Sequence, residues 1–95
     1  MPDVELLMTR LARAGVTTLI KADDERMAEG GETWTVILSG PGLADRGGIR
    51  AESPELRSAL RDVLDRLAAR PGDWSWLAEF RDQLAEQRHR GPAGQ

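Results

Sequence analysis

The sequence predicts a small α+β domain: a two- or three-stranded antiparallel sheet packed with three helices, in the order α-β-β-(β)-α-α. Three observations lead there. Two short β-branched runs, VTTLIKA (16–22) and TWTVILS (33–39), alternate in polarity and flank the pair Gly30-Gly31. Three other segments carry apolar residues at helical spacing. The length, 95 residues, leaves room for one core and no second domain.

The first helix is expected over residues 3–14. Val4, Leu7, Leu11 and Ala14 recur on one face and Met8 widens it. Asp3 is placed to cap the free N–H groups, and Gly15 to take the left-handed position after the last turn. In residues 16–22 the alternation puts Val16, Thr18, Ile20 and Ala22 on one side of a strand and Leu19 and Lys21 on the other. In 33–39 it puts Trp34, Val36 and Leu38 opposite Ile37. Gly30-Gly31 suits a turn that needs positive φ, so an extended hairpin joins the two.

Residues 40–48, GPGLADRGG, contain too many breakers for long regular structure, and IRAE (49–52) is a candidate third strand. Ser53-Pro54-Glu55 reads as a helix start, with a hydroxyl cap and proline in the first turn. That helix is expected to reach about Ala69 with Leu56, Leu60, Val63, Leu64 and Leu67 inward. Arg70-Pro71-Gly72 stops it. Asp73 then caps a third helix to about residue 88, with Trp76, Leu77, Phe80 and Leu84 inward and Trp74 nearer the edge. Residues 1–88 are expected to form one compact domain and 89–95 a flexible tail.

Composition excludes several function classes. Cysteine is absent, which removes disulfides, thiolate catalysis and cysteine-ligated metals. Asp3 and Glu5 stand where a signal peptide would carry positive charge, and no apolar run could span a bilayer, so a cytoplasmic location is expected. The net charge is −3. Lys21 is the single lysine, and the arginines are interspersed with carboxylates rather than gathered in the one-signed patch that phosphate backbones require.

No motif for chemistry emerges. Gly40-Pro41-Gly42 follows a strand as a dinucleotide loop would, but Asp45 breaks the glycine spacing and no Gly-Lys-Ser/Thr occurs. Asp23, Asp24 and Glu25 lack the loop pattern of a calcium site, since Trp34 stands at its twelfth position. His89, the only histidine, lies beyond the last apolar helical residue, and no serine has an anchored histidine to activate it. Catalytic, cofactor-binding and metal-ligating residues are therefore expected to be none.

The order α-β-β-β-α resembles that of double-stranded RNA-binding domains, on topology alone. That family reaches phosphates with basic residues at the start of its last helix, whereas the comparable start here is Ser53-Pro54-Glu55 and a Trp-rich helix follows. The leading expectation is a non-enzymatic protein-interaction or regulatory module, binding another protein or a second copy of itself through Trp74, Ile37 and Leu19. The alternatives are nucleic-acid binding through Arg46, Arg50 and Arg57, and a small ligand or a reaction at the 40–48 loop.

Overall fold

In the computed structural model the described residues are 2–25 and 30–93; for 44–46 and 86–93 only the backbone is described. The elements are α1 (Val4–Arg13), β1 (Thr17–Ala22), β2 (Trp34–Ser39), a 3-10 helix (Pro41–Arg46), β3 (Ile49–Ser53), α2 (Leu56–Ala68) and α3 (Leu77–Ala93). The strands form one antiparallel sheet in the order β1-β2-β3, so the third strand is present and includes Ser53. The architecture is the α-β-β-β-α-α domain that the alternating and helical patterns predict.

Local chemistry explains most boundaries. Asp3 caps α1, its Oδ1 accepting from the Leu6 N–H at 3.1 Å. Gly15 turns the chain out of α1 at φ +84°, a region costly for any residue with a Cβ. Two helix starts come later than their caps suggest. Ser53 is still paired with Trp34 in the sheet, so its hydroxyl accepts from the Glu55 N–H within a turn and α2 begins only at Leu56. Asp73 accepts from the backbone N–H and hydroxyl of Ser75, which closes a turn before α3 rather than its first helical residues. At the other end α3 continues past residue 88 to Ala93, beyond the expected stop. Nothing in the local sequence explains the extension, since Gly91 and Pro92 are poor helix formers.

The helices α1, α2 and α3 lie to one side of the sheet. α1 packs on β1, α2 on β2 and β3, and α3 on α2, so the molecule has a sheet layer, a helix layer and an outer helix. Leu7 and Leu11 of α1, Val36 and Leu38 of β2, Ile49 and Ala51 of β3, and Leu60, Val63, Leu64 and Leu67 of α2 meet in one buried cluster. Leu77, Phe80 and Leu84 bring α3 into the same cluster.

A bare sheet face as the candidate functional site

Antiparallel partners share a face, so the register defines what the sheet presents away from the helices. One row across the strands is Leu19, Ile37 and Arg50; the next is Lys21, Thr35 and Glu52; Thr17 and Ser39 complete it on the other side. Leu19 is 53% exposed, one of two large apolar residues so placed among the described residues, and Ile37 beside it is half-buried. Thr35 is 3% exposed and Thr33, next on the same face, 5%, so the open part of the face lies toward Leu19 and Ile37. Arg50 lies over Glu52, with Nη2 to Oε2 2.6 Å and Nε to Oε2 3.1 Å. The face is thus a small apolar centre between a cation at one edge and an ion pair at the other.

Of the three residues expected to meet a partner, the structure brings Leu19 and Ile37 together and takes Trp74 away. Trp74 is 9% exposed and belongs to the core, its Nε1–H donating to the Pro71 carbonyl at 3.1 Å. Trp76 is the more exposed of the pair. The inversion follows from the late start of α3: both tryptophans lie in the turn that precedes it, where helical spacing does not apply. Trp76 stacks edge-on with Phe80, with 6.1 Å between centroids, and the Arg10 guanidinium sits 4.7 Å from its ring centre. That cation–π contact joins α1 to the turn before α3.

The arginines of the alternative reading do not share a surface. Arg50 is on the bare face, whereas Arg57 is on α2, which packs against the opposite face, with its Nε buried and unpartnered. The Arg46 side chain lies outside the described residues, as does that of His89. Two further ion pairs lie on the helices. Asp65 accepts from Arg81 Nε at 2.8 Å, across α2 and α3, and Asp62 pairs with Arg66 at 3.3 Å.

The 40–48 loop is occupied with packing. The Gly42 N–H that a phosphate would need donates to the Gly15 carbonyl at 2.9 Å. A Cβ on Gly42 would overlap the Ala14 carbonyl oxygen, and one on Gly40 would lie 2.5 Å from that of Gly15. The glycines are there because two backbone turns touch. From the other side Arg70 Nη1 donates to the Gly47 carbonyl at 2.7 Å and ties the loop to the end of α2.

Elsewhere a shallow depression of about 320 Å³ lies between Ala68, Gly72, Trp74 and Arg81. Its polar groups are engaged with one another: Asp73 with Ser75, and Arg81 with Asp65. The Ser75 hydroxyl at 2.7 Å, and then the Ser75 N–H at 3.2 Å, hold the Asp73 carboxyl below its ordinary pKa. Asp23 accepts from the Glu25 N–H at 3.0 Å, where Asp24 and Glu25 begin a helical turn. Among the described residues no group of three or more histidines or carboxylates is placed to hold a metal ion, and no helix is long and apolar enough to cross a membrane.

No protein-family model, no curated protein and no solved structure matches this chain.

Proposed function

We propose that the domain is a non-enzymatic protein-interaction module, docking a partner protein or a second copy of itself on the bare sheet face. The observation that carries this reading is Leu19, 53% exposed beside Ile37 on a face against which none of α1, α2 and α3 packs. Covering apolar surface contributes roughly 25 cal/mol per Å², and a strand face is rigid, so a partner loses little freedom in fitting it. Lys21 at one edge and the Arg50–Glu52 pair at the other form a polar rim around that centre, the arrangement of a protein interface. The absence of cysteine supports a cytoplasmic setting.

A photo-crosslinking amino acid placed at Leu19 and, separately, at Asp62 in cells tests the surface. Asp62 is exposed on α2, which lies on the other side of the sheet. Adducts of defined mass are expected from position 19 and not from position 62. Equal yields at both positions, or none at either, would overturn the reading.

A further inference from the structure

The two edges of the sheet are not equivalent, and the register shows how. The Asp23 N–H donates to the Thr33 carbonyl at 2.9 Å, which continues the β1–β2 pairing by one residue and sets its phase. Hydrogen-bonded pairs alternate along an antiparallel ladder. The backbone of Thr17, Leu19 and Lys21 therefore turns toward β2, and that of Thr18, Ile20 and Ala22 turns outward. Carried across β2, the same phase turns the backbone of Arg50 and Glu52 outward from β3. One observation independent of the ladder agrees with it: Arg66 of α2 donates a guanidinium N–H to the Arg50 carbonyl. The β3 edge is thus blocked by a side chain from the helix above it. At the β1 edge no strand flanks Thr18, Ile20 and Ala22 among the described residues.

The geometry points to pairing of two copies of this chain along β1, antiparallel about a two-fold axis at Ile20, to make one continuous six-stranded sheet. An extended backbone is what three outward N–H and C=O pairs recognise, and β1 of a second copy carries the same set in the same order. The register follows from the side chains. With Ile20 opposite Ile20 of the second copy, Thr18 faces Ala22 and all three outward residues join the ladder. Leu19 then lies across from Lys21, whose aliphatic stem can cover it. A shift that centred the axis on Lys21 would set two ammonium groups against each other, and one centred on Leu19 would leave fewer outward residues paired. Ile20, which packs at the margin of the core, would meet its counterpart and extend the apolar layer across the axis. This contact is made by the backbone of the edge strand and does not depend on docking on the bare face.

An edge-to-edge contact of three residues buries little area, so a Kd of about 100 µM or weaker is expected. Sedimentation equilibrium up to about 1 mM should show monomer and dimer, and amide exchange followed over the same range should slow at Thr18, Ile20 and Ala22. Ala22→Pro removes an outward donor, not one used by β2, and Ala22 is exposed; association should weaken about tenfold or more with the circular dichroism unchanged. A chain that stays monomeric to about 1 mM overturns the proposal and leaves a heterologous partner on the bare face untouched. A dimer in which those three amides exchange at concentration-independent rates also overturns it, and assigns the contact to another surface. Should Ala22→Pro fail to fold, the exchange pattern of the unaltered chain decides.

Discussion

Gly42 and Gly30 separate two reasons for keeping a glycine. Gly30 has φ +75° and open space where a Cβ would go; Gly42 has no such φ but lies against the backbone of Ala14 and Gly15. Gly30→Ala should therefore cost about 1 kcal/mol, the strain of a left-handed residue. Gly42→Ala should cost about 2–3 kcal/mol or more, because the two turns must separate and the Gly42–Gly15 hydrogen bond with them. Urea denaturation of both variants checks the order, and equal losses would mean that the close approach carries no energy. A second residue-scale prediction concerns pH. The carboxyl of Asp73 is held below its ordinary pKa by Ser75, so ionised Asp73 favours the folded turn. That contribution is present above the unfolded-state value and is lost as pH falls through the lower folded-state value. In a carbon-detected titration Asp73 should ionise below 3.8, and Ser75→Ala should return it upward. An unchanged midpoint in Ser75→Ala would remove the hydroxyl as the cause.

At the scale of elements, the turn between α2 and α3 carries more of the packing than its helix-breaking sequence suggests. Trp74→Ala should cost about 3–5 kcal/mol, the range for emptying a buried aromatic site. Trp76→Ala should cost clearly less, about 1–2 kcal/mol, for a half-exposed ring with an Arg10 contact. Thermal denaturation of the two variants would refute this assignment if their order were reversed. Helical periodicity alone ranks the two tryptophans the other way, and the reason is physical. Periodicity locates a side chain only once the backbone is helical, and Asp73 binds Ser75 instead of capping a continuous helix. Where local signals did suffice, they were of two kinds: the alternation that separates Leu19 and Ile37 from Ile20 and Val36, and caps such as Asp3 with no rival partner. Contacts that join distant residues left no trace in local patterns. Arg66 reaches a carbonyl 16 residues away and Arg70 one 23 residues away, and either arginine reads as surface charge in the sequence. The glycines of 40–48 likewise look like a loop with room for a ligand until Gly15 is seen to fill it. The candidate face was half legible: its two apolar residues were visible from strand alternation, but the bare side of the sheet depends on where three helices dock.

At the scale of the whole molecule, the strands neighbour one another in the order in which they occur along the chain. α2 follows β3 directly and packs on β2 and β3, and α3 follows α2 and packs on it. Each element after β1 therefore meets a surface made by the segment just before it. The strand pairings thus join neighbouring segments, whereas the Gly15–Gly42 and Arg10–Trp76 contacts join distant ones, so folding closes long loops as well as short ones. The same layering makes α3 the outermost cooperative unit. It can detach by sacrificing its contacts with α2 and the turn before it, while the sheet, α1 and α2 keep their mutual packing. The molecule thus has a built-in order of opening, in which the C-terminal helix leaves first and the central strand β2, enclosed by both of its neighbours, is released last.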